Sequence, residues 1–174
     1  MLEDLKNDHH GFPVFLEYEY WEEHKYEIGM EYEQWMSWSA DENKNNLKAE
    51  ADKICDQKWN ETLDRMIFLL SEMNDDTCTM KNPYVDEWWS YHERFDEKYP
   101  RAAEQLKTAE ELAEERKNDY SISVGPERDP EFGKEYEEIS DRMLEYSRKI
   151  DKYQDECKDE FMELFGKYFW NLWD

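Results

Sequence analysis

From Phe132 to the C-terminus the chain repeats an apolar residue every three or four positions: Phe132, Tyr136, Ile139, Met143, Tyr146, Ile150, Tyr153, Cys157, Phe161, Leu164, Tyr168 and Leu172. Steps that alternate so closely around 3.6 keep one side of an α-helix apolar for about forty residues. A β-strand, whose faces alternate every second residue, cannot use such a pattern. Asp129-Pro130 supplies a capping side chain followed by a residue preset for the first helical turn, so a long helix is expected over 130–172, projecting in part, kinking near Gly166, or pairing with a second copy.

The rest of the chain reads the same way. Five glycines and five prolines are too few for the regular turns of an all-β protein. Tyr18, Trp21, Ile28, Tyr32 and Trp35 recur at helical spacing through about residue 38, with Gly29 as a weak point. Ser39 and Glu42 have capping-box spacing ahead of a helix whose apolar positions are Leu47, Ala51, Ile54, Trp59, Leu63, Met66, Leu70 and Met73, ending at Asn74-Asp75-Asp76. Asn82-Pro83 opens a short aromatic helix, and Ala102, Ala103, Leu106, Ala109 and Ala113 form a narrow small-residue stripe running to about Asn118. Residues 119–129 read as a loop in which Tyr120, Ile122 and Val124 allow a short extended piece. The expected fold is all-α: a single acidic helical domain over 1–174, an irregular helical bundle with a long C-terminal helix.

Charge dominates the composition. Forty-six acids face 22 bases, for a net charge of −24. The excess is global: residues 1–38 carry 10 acids and 2 bases, 39–78 carry 10 and 5, 79–119 carry 11 and 7, and 120–174 carry 15 and 8. An aromatic share of 16% separates such a chain from disordered acidic tails, which are aromatic-poor. So much negative charge repels nucleic acid and anionic membranes and attracts basic partners. Cys55, Cys78 and Cys157 are odd in number and form no CxxC pair, which fits a reducing cytoplasm better than a disulfide framework. No window approaches the roughly 18 apolar residues of a membrane span, and the N-terminus has no leader pattern. A soluble, cytoplasmic protein is expected.

Two sets of residues bear on chemistry. Glu110, Glu111 and Glu114 lie on one expected helix, and Glu138 and Asp141 on another. Facing helices with such spacing could assemble a carboxylate site for magnesium. The pattern resembles the EExxE…ExxD signature of the all-α nucleoside-triphosphate pyrophosphatases of the MazG and dUTPase type, which implies hydrolysis between the α and β phosphates. With 46 acids such spacings also arise as ordinary solvated faces, the preferred reading here. His9, His10, His24 and His92 show no ligand spacing, and no Gly-rich phosphate loop, nucleophile elbow or basic nucleic-acid stretch is present. No cofactor is expected. The second set is a surface: Glu137, Glu138, Asp141, Glu145, Asp155, Glu156 and Asp159 on the final helix, with Trp88 and Trp89 as an aromatic patch that either packs on both sides or is exposed for recognition. Phe165, Phe169, Leu172 and Trp173 are expected to dock the last turns onto the body.

The run Trp59-Asn60-Glu61-Thr62-Leu63-Asp64-Arg65-Met66-Ile67-Phe68, with Gly11-Phe12-Pro13 upstream and the closing FGKYFWNLWD, is similar to a group of uncharacterised bacteriophage proteins that carry a GYP-like turn, a W…LDxMI helix and a final FxKYFxxLWD. The match spans about a quarter of the chain, and the separation of turn and helix is enlarged by residues 14–58. The resemblance implies a phage or prophage origin and raises the expectation of a small protein that binds host factors. The leading expectation is a noncatalytic inhibitor whose carboxylates mimic nucleic acid and occupy the basic channel of a host or defence enzyme. A structural protein that self-associates as a homodimer through the 132–172 apolar seam is the alternative.

Overall fold

The computed structural model describes residues 2–8, 11–37, 46–99, 103–118 and 120–172. Seven α-helices appear among them: α1 (Leu2–Asp8), α2 (Val14–Ile28), α3 (Tyr32–Met36), α4 (Asn46–Glu72), α5 (Val85–Lys98), α6 (Ala109–Asn118) and α7 (Gly133–Tyr168). The described residues contain no strand, so the fold is all-α. None of these helices is long and apolar enough to cross a membrane. The chain divides into two compact units, one of Met1–Cys78 with Gln154–Asp174 and one of Thr79–Tyr153; the boundary falls within α7.

The first unit is organised on α4. Ala51, Cys55, Trp59, Leu63, Met66 and Leu69 are buried at intervals of three or four residues, giving α4 a continuous apolar stripe that α1 and α2 cover. The expected stripe was right in period but not at every position: Leu47 and Leu70 are exposed, and Cys55 and Leu69 stand on the inner face instead. Five turns at 3.6 residues carry the stripe from Ala51 to 69 rather than 70, whereas Leu47 is in register one turn before Ala51 but lies in the first turn of α4 and is exposed. Tyr168 and Leu172, from the end of the long stripe, join this core, with the Tyr168 ring 5.4 Å from Trp59 and 5.3 Å from Phe15. Phe165 and Phe169 are half-buried, whereas Trp170 is exposed; Trp173 lies outside the described residues.

Gly29 ends α2 in the left-handed conformation (φ +67°), with its N–H donating to the Lys25 carbonyl. A residue with a Cβ is strained there, which is why one expected helix becomes two. The Trp21 indole donates to the Met30 carbonyl across the break. The Ser39/Glu42 capping box lies outside the described residues. Glu17 of α2 and Lys48 of α4 form a buried ion pair, with the ammonium 4.9 Å from the Trp35 ring; burial lowers the Lys48 pKa. All three cysteines are free and buried, and burial pushes the Cys55 thiol up to about 11.

The second unit has a smaller core of Phe95, Ala103, Val124 and Phe132, with Tyr91, Tyr99 and Leu106 packed on it. Asn82 does not cap α5: its side-chain oxygen accepts from the Tyr84 N–H, and its amide donates to the Met143 carbonyl and Ser147 Oγ of α7. The helix expected from residue 102 begins later. Ala103 is left-handed, a 3-10 turn covers Glu104–Leu106, and α6 starts after Thr108, which forms a capping box with Glu111. Ala109 and Ala113 are exposed and α6 buries no residue, so the small-residue stripe packs only at its start, where Ala103 is buried and Leu106 lies against the core. Ahead of α7, Asp129 accepts from the N–H groups of Glu131 and Phe132, and the Gly133 N–H donates to its carbonyl.

Candidate functional site

Helix α7 holds its polar side outward because its apolar side is engaged. Phe132, just before its first turn, and Tyr136, Ile139 and Cys157 within it are buried, and Met143, Tyr146, Ile150 and Tyr153 are half-buried. The seam expected to serve a homodimer is thus largely covered by the chain itself. Glu137, Glu138, Asp141, Glu145, Asp155, Glu156 and Asp159 are all exposed, as their positions off the stripe require. They are not equivalent. Glu145 pairs with Lys149 at 2.7 Å, which holds its carboxyl below the usual range, and Asp155 lies 3.6 Å from Lys158. Glu156 is also engaged. Glu137, Glu138, Asp141 and Asp159 make no ion pair with another described residue. The first three share one side of α7, since Asp141 is four residues from Glu137 and three from Glu138.

The charge balance by element differs from the expected emphasis on α7. That helix carries eleven acids and seven bases, whereas residues 11–37 carry seven acids and one base. Within the latter, Glu17, Glu19 and Glu22 pair with Lys48, Lys167 and Lys25. Glu23, Glu27, Glu31 and Glu33 are exposed and make no ion pair with a described residue. The lopsided ratio of residues 1–38 was the available signal, but only the structure separates neutralised acids from open ones.

The five carboxylates of the pyrophosphatase-like pattern are not brought together as a metal site. No group of three His, Cys, Asp or Glu among the described residues is placed to hold a metal ion. Glu111 closes the capping box of α6 and receives a two-pronged guanidinium from Arg128 at 2.7 and 2.8 Å. Arg128 first, then the Thr108 N–H, lower its carboxyl to about 2. Glu114 accepts from the Tyr120 hydroxyl at 2.7 Å, and Glu110 points into solvent. An arginine therefore occupies the carboxylate that the pattern would assign to a cation. Of the histidines, His24 contacts the Tyr20 carbonyl and His92 the Tyr136 hydroxyl; His9 and His10 lie outside the described residues.

No family model, no curated protein and no solved structure matches the chain. Its function must be read from its own surface.

The aromatic patch divides between its two members. Trp88 is half-buried against the Tyr136 ring, 6.4 Å between centroids, while Trp89 is 55% exposed and meets Trp88 edge-on at 4.9 Å. In the first unit an apolar groove of about 590 Å³ opens between α1, α4 and α7, walled by Leu2, Ile67, Leu70, Phe161 and Phe165. Its rim hydroxyl on Thr77 is already bonded to the Ser71 carbonyl.

Proposed function

We propose that the chain is a noncatalytic acidic binding protein that mimics nucleic acid and occupies the cationic channel of a host or defence enzyme. The observation that carries this reading is the open carboxylate set Glu137, Glu138 and Asp141 on a helix anchored by Phe132, Tyr136 and Ile139. Three carboxylates along a helical rise of about 6 Å approach the axial charge density of one DNA strand, one charge per about 3.4 Å of helix axis. The net charge of −24 adds long-range attraction for a basic partner, and anchoring limits the entropy lost on docking.

The test is displacement of a labelled DNA duplex from a panel of bacterial DNA-binding enzymes, followed by fluorescence anisotropy. The native protein releases the duplex from its target, and its own affinity for that target falls between about 50 mM and about 200 mM salt. The quadruple variant Glu137→Lys, Glu138→Lys, Asp141→Lys, Asp159→Lys loses this effect while its circular dichroism stays native. Undiminished competition by that variant overturns the reading.

Self-association is the second reading, favoured by the apolar groove and by Leu70, 40% exposed on its wall. Light scattering across a dilution series decides it: a constant monomer mass at micromolar concentration removes it.

A further inference from the structure

Helix α5 carries two cations, and both serve the same side. Arg94 bonds Glu131 at 2.8 Å with its guanidinium 4.4 Å from the Phe132 ring, and Lys98 reaches Asp129 at 2.8 Å and Glu131 at 2.9 Å. Elsewhere on α5, Trp89 stands between Asp86, three residues before it, and Glu93, four residues after it. Residues at these separations are neighbours on one helical face. Both carboxylates are exposed and make no ion pair with a described residue.

Two other exposed rings have one of the protein's own cations beside them, whereas Tyr18, Tyr120 and Trp170 have none over them among the described residues. Tyr26, 92% exposed, has Lys25 at 5.9 Å, and Phe68, 41% exposed, has Arg65 at 5.1 Å. No Lys or Arg among the described residues lies over Trp89. Its edge contacts are Trp88 and His92, the latter at 5.7 Å, and His92 is itself held by the Tyr136 hydroxyl at 3.1 Å. The indole is therefore braced from within its own unit and open to solvent over more than half its surface.

An uncovered indole flanked by two open carboxylates is complementary to a cation. The ring quadrupole attracts the charge, and tryptophan attracts it best among the aromatic side chains. A guanidinium suits the place better than an ammonium, because it is planar, weakly hydrated and able to stack on a ring while its N–H groups bond carboxylates. We propose that the Asp86, Trp89, Glu93 face of α5 docks an arginine side chain of a basic protein partner. The inference rests on the reading of the chain as an acidic binding protein and names the side chain that such a partner inserts.

The experiment titrates a capped tetra-arginine peptide, and separately tetra-lysine, into the full-length ¹⁵N-labelled protein, with the Trp89 indole N–H assigned through Trp89→Phe. Tetra-arginine is expected to shift the Trp89 indole and the Asp86 and Glu93 amides. Trp89→Ala, and independently Asp86→Asn with Glu93→Gln, weaken its binding by about three- to tenfold with circular dichroism unchanged. Tetra-lysine binds the native and Trp89→Ala proteins alike. Shifts that bypass Trp89, equal tetra-arginine affinity for native and Trp89→Ala proteins, or equal dependence on Trp89 for both peptides overturn the proposal. The quadruple lysine variant of α7 separates the two readings. If tetra-arginine engages Trp89 in that variant while the native protein fails to displace DNA, the docking face stands and mimicry falls; displacement of DNA without any Trp89 response removes the docking face alone.

Discussion

Asp129 shows how a single side chain in this acidic protein is kept ionised. Burial alone pushes its carboxyl up, but Lys98, the N–H groups of Glu131 and Phe132, and the Tyr99 hydroxyl outweigh that and bring it down to about 2. A carboxyl with a folded pKa below its ordinary 3.8 stabilises the native state above the ordinary value, and that contribution disappears as pH falls from about 4 to about 2. Urea unfolding of the native protein should therefore show a stability loss in this window. Asp129→Asn, less stable at neutral pH, should show a smaller loss there, and parallel pH profiles would refute the assignment. Glu111 is governed in the same direction by Arg128. In the sequence it looked like one of five candidate metal ligands. Carboxylate spacing says nothing about which donor arrives, and Arg128 arrives from seventeen residues away in sequence.

At the level of elements, α7 contains two glycines with opposite roles. A Cβ on Gly133 would fall 2.6 Å from the Glu127 carbonyl oxygen, backbone that cannot swing aside. A Cβ on Gly166 meets nothing within 4 Å. Gly133→Ala is expected to destabilise by about 1–3 kcal/mol through that clash. Gly166→Ala is expected to stabilise by about 0.5–1 kcal/mol through helix propensity. Denaturant midpoints of the two variants should move in opposite directions. The helix runs through Gly166 and gives way to a 3-10 turn only at Phe169. The period of α7 was legible because one helix repeats its own geometry over ten turns. The start of α6 was not, because alanines at 102, 103, 109 and 113 suit a helix wherever it begins, and the Thr108–Glu111 box that sets the start was hidden among many Glu spacings.

Across the whole molecule, 46 acids against 22 bases impose self-repulsion on a fold with two modest cores. Raising salt from about 10 mM to about 150 mM shortens the Debye length from about 30 to about 8 Å and should raise the melting temperature. Calorimetry at the two salt concentrations checks it, and a falling melting temperature would show that ion pairs such as Arg65 with Glu160 outweigh the repulsion. Partner binding is expected to respond to salt with the opposite sign, so the two effects can be separated in one preparation.

The amino-acid sequence by itself determined the helical class, the long C-terminal helix and the sign of the surface, because these follow from local periodicity and from counting charges. Tertiary structure alone decided which carboxylates are neutralised by a lysine or arginine and which stay open, and that Trp89 rather than Trp88 faces water. Pairs such as Glu145 with Lys149 are local, but those of Glu17 with Lys48 and Glu111 with Arg128, and the packing of Trp88 on Tyr136, depend on groups far apart in sequence meeting at a few ångströms, where residue order carries no distance.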